Sequence, residues 1–121
     1  MSLKSANLAL RFLLELCALT ALAVWGFQTG EGLLMKIVLG IGIPLLGALA
    51  WGTFRVPNDP GRAPVPVPGP FRLVLEVVIF GLATASLAAA GHPSLALVFG
   101  LAVVINNALM YDRLIWLWRQ R

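Results

Sequence analysis

The stretch Leu33-Leu34-Met35-Lys36-Ile37-Val38-Leu39-Gly40-Ile41-Gly42-Ile43-Pro44-Leu45-Leu46-Gly47-Ala48-Leu49-Ala50-Trp51-Gly52-Thr53-Phe54 holds one charge, Lys36, in 22 residues. A helix that crosses a bilayer needs about 20 largely apolar residues, and this run has no polar face with which to meet water. Three more runs of the same kind flank it: Asn7 to Phe27, Phe71 to Ala90 and Ser94 to Trp118. The gaps between them are Gln28 to Gly32, Arg55 to Pro70 and Gly91-His92-Pro93, all punctuated by the glycine or proline that loops favour. In lipid a helix satisfies its own backbone hydrogen bonds. The sequence therefore predicts an all-α, polytopic membrane four-helix bundle, built as a single membrane domain over residues 1–121: hairpin 1 over 7–54, a proline-rich linker over 55–70 and hairpin 2 over 71–118.

Composition agrees. The 121 residues are 60% hydrophobic and 12% charged, with a mean hydropathy of +0.90. A soluble domain carries about 25% charge, so this chain cannot dress a globule in polar surface, which excludes a soluble enzyme or a disordered tail. Cys17 is the single cysteine, which excludes an internal disulfide. The first run, with Lys4 and Arg11 ahead of it and Ala21-Leu22-Ala23 inside it, has some features of a cleaved leader. Glu15 interrupts it, and the internal repeat described below needs it, so it is read as a retained helix.

Lysine and arginine counts set orientation. Lys4, Arg11, Arg55, Arg62, Arg72, Arg113, Arg119 and Arg121 fall on one side of the four-span arrangement, and Lys36 near the other. Both termini and the middle loop are thus expected in the cytoplasm, and the net charge of +4 needs no nucleic acid to explain it. Trp25 at the outer end, and Trp51, Trp116 and Trp118 at the inner end, suit interfacial anchors.

At an offset of 61 residues, Arg11-Phe12-Leu13-Leu14-Glu15 matches Arg72-Leu73-Val74-Leu75-Glu76, and Gly30 matches Gly91. Two hairpins that each start in the cytoplasm would be parallel repeats, related by an axis along the membrane normal. The alternative is coincidence reinforced by the same positive-inside pressure acting twice. Six of the eight prolines fall between Pro57 and Pro70. Pro64-Val65-Pro66-Val67-Pro68 favours an extended strap, read as a spacer between hairpins or a ligand for a docking partner.

Ionisable residues inside spans are costly and mark functional sites by default. At a rise of about 1.5 Å per residue, Glu15, Asn106 and Glu76 lie roughly 18–21 Å from the outer ends of their helices, and Arg11, Arg72, Tyr111 and Asp112 roughly 24–27 Å. All share the inner half of the bilayer. Arg11–Glu15 and Arg72–Glu76 have the i, i+4 spacing of a helix-face ion pair, although arginine before glutamate is the less favourable order. Asn106 and Asn107 point about 100° apart on their helix, so one can glue helices while the other faces the glutamates. Glu15, Glu76, Arg11, Arg72, Asn106, Asn107, Tyr111 and Asp112 form the candidate ligand- or ion-binding set. The competing reading makes the two Arg/Glu pairs structural bridges between hairpins. On the second helix Gly40, Pro44, Gly47 and Trp51 share a stripe whose small residues suit close packing and whose proline suits a kink.

The sequence has no zinc spacing, phosphate loop or nucleophile elbow. No cofactor, metal or catalytic role is expected. Two functions stay open: a small transport or ligand-binding protein using the inner-leaflet Arg/Glu/Asn cluster, and a non-catalytic accessory or assembly protein of a membrane complex. Membrane lipids are the expected partners, with a homo-oligomer or another membrane protein as further possibilities.

The stretches Asn7-Leu8-Ala9-Leu10-Arg11-Phe12-Leu13-Leu14-Glu15-Leu16, Trp25-Gly26, Pro57-Asn58-Asp59-Pro60, Arg72-x-x-x-Glu76 and Tyr111-Asp112 together resemble the YrdB-like family of small bacterial membrane proteins. The resemblance covers nearly the whole chain. It implies four membrane helices in a bacterial plasma membrane, and no activity that transfers to a residue.

Overall fold

The computed structural model describes residues 3–57 and 63–120. The Asn58-Asp59-Pro60 part of the motif, Arg62 and Arg121 lie outside the described residues. The chain is all-α apart from one short strand pairing. In order it forms α1 (Leu3–Thr29), α2 (Gly32–Thr53), β1 (Phe54–Arg55), β2 (Val65–Pro66), α3 (Gly69–Ala89), α4 (Pro93–Leu109) and α5 (Tyr111–Arg119). Three helices, α1 to α3, are long and apolar enough to cross a membrane, and a fourth span appears if α4 and α5 count as one.

The turns follow from local chemistry. Gly32 and Gly91 take φ of +80° and +93°, a region that side chains with a Cβ disfavour. The matched glycine of the first hairpin, Gly30, is not the left-handed residue there, so the two hairpin turns are built differently. Pro70 and Pro93 open α3 and α4 in the first helical turn, where a missing N–H costs nothing. α2 runs unbroken through Pro44.

α1 and α3 form the centre. Ala18 and Ala83 are fully buried at their crossing, where small side chains let backbones approach, and Leu14, Ala21, Phe80 and Phe99 pack around them. α4 packs on α3 and α1. α2 packs along α1 and meets α3 only slightly. Gly26 and Gly40 make the α1–α2 contact possible: a Cβ on Gly26 would sit 2.5 Å from the Leu39 carbonyl oxygen, and Gly40 lies under the Phe27 ring. Outside this core Leu33, Leu34, Leu46, Val77 and Leu97 are exposed, an apolar exterior that suits lipid.

The fourth span is where the sequence reading needs correction. Ser94 to Trp118 is not one helix; it breaks at Met110, and α5 leaves α4 at 71°. Met110 has φ −108° and ψ 34°, and its N–H is shared between the carbonyls of Asn106 and Asn107 at 3.0 and 3.1 Å. The chemistry changes at this point. α4 has no charged residue, whereas α5 reads Tyr-Asp-Arg-Leu-Ile-Trp-Leu-Trp-Arg. At 17 residues α4 is about 25 Å long, close to the roughly 30 Å hydrocarbon core.

α5 folds back against the start of α3. Leu117 is fully buried there, and the Gly69 N–H donates to the Gln120 carbonyl. Glycine is required at position 69, because a Cβ would collide with the Leu117 carbonyl. The proline strap is tied down as well: β1 and β2 pair in parallel, and the Val67 N–H donates to the Arg55 carbonyl at 2.9 Å.

Candidate functional site

Glu76, on α3, is the hub of a cluster at one end of the helices. Its side chain is 5% exposed and receives three guanidiniums. Arg72 Nε, one turn earlier on α3, donates to Oε2 at 3.0 Å. Arg113 on α5 grips both oxygens, Nη1 to Oε1 at 3.1 Å and Nη2 to Oε2 at 2.9 Å. Arg11 on α1 brings Nη2 to 2.7 Å from Oε1. A forked guanidinium matches a carboxylate in this way, and each such bond is stronger than a neutral one.

The same arginines reach the remaining helices. Arg72 Nη1 donates to the carbonyls of Trp51 and Phe54 at 2.6 and 2.8 Å, placing a cation on the carbonyl end of α2. Arg11 Nη1 donates to Asn107 Oδ1 on α4 at 3.2 Å. One carboxylate and three arginines thus tie all five helices together. Aromatic faces close the cluster from the apolar side: Arg11 lies 5.0 Å from the Phe80 ring centroid and Arg72 5.3 Å from that of Trp51. Trp51 itself packs edge-on against Phe80 at 5.0 Å, so its ring serves the core.

Glu15 sits differently. Its partner among the described residues is Arg11, whose Nε lies 3.4 Å from Oε1, and its side chain keeps 27% exposure. It opens onto a cavity of about 190 Å³ lined by Arg11, Arg55, Arg72, Arg113, Trp51 and the apolar Leu8, Phe12 and Met110. A wider, open groove of about 990 Å³ runs between α3 and α4. It is almost wholly apolar and reaches Glu76 and Asn107 at one end.

Of the residues that the sequence singled out, Arg11, Glu15, Arg72, Glu76 and Asn107 come together. Asn106 is fully buried but apart from the cavity; its Nδ2 donates to the Asn7 carbonyl at 3.1 Å and so fastens α4 to α1. Asn107 also donates to the Val103 carbonyl at 2.8 Å. Tyr111 and Asp112 are exposed at the start of α5 and do not join the cluster. Arg113 joins the Glu76 cluster and Arg55 lines the cavity, although the sequence reading names neither as a candidate and uses Arg55 only to count charge. The signal for Arg113 was present, since Asn106, Met110, Arg113 and Leu117 follow helical spacing. Three of these four are buried, and the fourth is Arg113, which grips Glu76.

Residues 9–104 match the model of a family described as "Protein of unknown function (DUF2568)". The chain belongs to the DUF2568 family. It is also 34% identical over 121 residues to "Uncharacterized protein YrdB" of Bacillus subtilis (strain 168), covering 98% of each chain. No solved structure matches it. The DUF2568 match includes Arg11, Glu15, Arg55, Arg72 and Glu76, and ends before Asn107 and Arg113. The resemblance read from the sequence is thereby borne out, and neither description assigns a role to any of these residues.

Proposed function

We propose that this chain is a ligand-binding, non-catalytic integral protein of the bacterial plasma membrane, with the Arg/Glu/Asn cluster as its site. The observation that carries the reading is the 190 Å³ cavity, walled by Arg11, Arg55, Arg72, Arg113 and Glu15 beside a saturated Glu76. Charged groups within or next to lipid are costly. Glu76 repays that cost through its three guanidiniums and holds the helices; Glu15, with one long contact among the described residues, is left to serve a ligand. Metal-free transport of a cation through Glu76 has no support in this geometry, because both of its oxygens are already occupied.

The excess of lysine and arginine on one side supports four spans with both termini cytoplasmic. α5 then lies along the inner interface: Tyr111, Ile115 and Trp118 are exposed at i, i+4 and i+7, and Arg119 is exposed beside them. An accessory role remains the second reading, favoured by Pro64, Val65 and Pro66, which stand exposed on the strap.

Native mass spectrometry of the protein extracted gently from its own membrane tests the proposal. A lipid or small molecule retained by the wild type and lost from Arg55→Gln is the expected result. A bare chain, or one carrying another protein and no ligand, would overturn it in favour of the accessory role.

A further inference from the structure

The two Arg-x-x-x-Glu stretches are alike in sequence and unlike in surroundings. Glu76 is enclosed by three arginines, whereas among the described residues Glu15 meets only Arg11, at 3.4 Å, the outer limit of a hydrogen bond. Glu15 is also the carboxylate that faces the cavity, and the rest of the charge on that cavity wall comes from arginine. The site therefore carries both signs within about 190 Å³. A bare cation would suit Glu15 but be repelled by the guanidiniums. A bare anion would suit the guanidiniums but be repelled by Glu15. A ligand with one charge of each sign, a few bonds apart, meets both demands.

Resting on the reading of the cavity as a ligand site, we infer that it takes a phosphoethanolamine group, its phosphate against the arginine wall and its primary ammonium on Glu15. Guanidinium is the side chain best matched to phosphate oxygens. An ammonium brings N–H donors to a carboxylate whose partner among the described residues, Arg11, is held at 3.4 Å. The volume is below the roughly 300–1,000 Å³ of sites for drug-sized molecules, which suits a headgroup and leaves no room for acyl chains. Leu8 and Phe12 at the cavity, Phe12 being exposed, provide an apolar edge along which the rest of a lipid can lie. The group has two sources, a phospholipid headgroup or free O-phosphoethanolamine.

The full chain in nanodiscs containing equal amounts of phosphatidylethanolamine, phosphatidylcholine and phosphatidylglycerol, released into a native mass spectrometer, gives the test. The inference expects phosphatidylethanolamine to be retained about tenfold over each of the others, equivalent to about 1.4 kcal/mol. Glu15→Gln should bring that preference close to one, and Glu15→Asp, which keeps the charge, should restore much of it. Circular dichroism confirms that each variant is folded. In lipid-free micelles, stabilisation by O-phosphoethanolamine and not by inorganic phosphate assigns the free molecule; retention of the lipid without such stabilisation assigns the headgroup. Retention of phosphatidylglycerol alone, or a preference unchanged in Glu15→Gln, overturns the inference while leaving a ligand site standing. Retention of no lipid and no response to either soluble probe removes both.

Discussion

Neutralising the two glutamates should have very different costs. In Glu76→Gln the carboxylate that meets Arg11, Arg72 and Arg113 is lost, and three guanidiniums remain packed around a neutral amide. Breaking a buried ion pair costs about 3–5 kcal/mol, because a charge is left without compensation, and here the mutual repulsion of three cations adds to that cost. Glu15→Gln removes one partly exposed pair at 3.4 Å, for which about 0–1 kcal/mol is expected. Unfolding in mixed micelles of increasing SDS content, followed by circular dichroism, reads both on one scale. A loss of 3 kcal/mol is more than about a hundredfold in the folding equilibrium, well outside experimental scatter. Adding Arg113→Gln to Glu76→Gln should recover part of the loss, since it removes one of the stranded charges. Equal and small losses for the two single variants would refute the assignment of Glu76 as the hub.

Three further predictions concern the frame that holds this site. Gly26→Ala should destabilise by about 1–3 kcal/mol, an overpacking cost, because its Cβ meets the Leu39 carbonyl; Gly42→Ala, with nothing within 4 Å, should be neutral or stabilising in the same SDS titration. Asn106→Leu should cost less than about 1 kcal/mol, since interhelical hydrogen bonds in membranes average about 0.6 kcal/mol and Asn106 Oδ1 has no hydrogen-bond partner among the described residues. Nitroxide labels placed singly along α5 on a Cys17→Ser background should alternate, with Ile115 and Trp118 accessible to oxygen in lipid and Asp112 accessible to a polar relaxant. Uniform lipid burial would instead restore a continuous fourth span.

Most of the fold was legible because hydropathy is a local property. Leu33 to Phe54 announces a span by itself, and the glycines and prolines around it mark the turns. The fourth span was misread for the same reason. Ile115, Trp116, Leu117 and Trp118 extend the apolar count of α4, although Leu117 packs under α3 while Trp118 is exposed. An average over a window cannot distinguish two faces of a short amphipathic helix from the side of a long apolar one. The site was legible in part. Spacing gave Arg11–Glu15 and Arg72–Glu76, since a pair four residues apart on a helix needs no tertiary information. It could not rank the glutamates, because what separates them is the approach of Arg113 and Arg11 to Glu76 from other helices. Asn106 and Asn107 part as their 100° separation on the helix requires: Asn106 bonds to the Asn7 carbonyl on α1, and Asn107 accepts from Arg11. The Asn106 stripe leads to Arg113, but counting that residue for orientation hides its contact with Glu76.

The proposed ligand sits in the cavity beside Glu76, held by Glu15 and the arginines. The most direct measurement is solid-state NMR dipolar recoupling between the Glu15 side-chain ¹³C carboxyl and ¹⁵N-ethanolamine supplied in the membrane, using Glu15→Gln to identify the Glu15 signal by difference. A ligand seated there gives dephasing of the Glu15 carboxyl at hydrogen-bond range, together with recoupling of the arginine guanidiniums to ³¹P. A Glu15 carboxyl that shows no dephasing in the folded wild type, with the arginines coupled only to protein carboxylates, would contradict it.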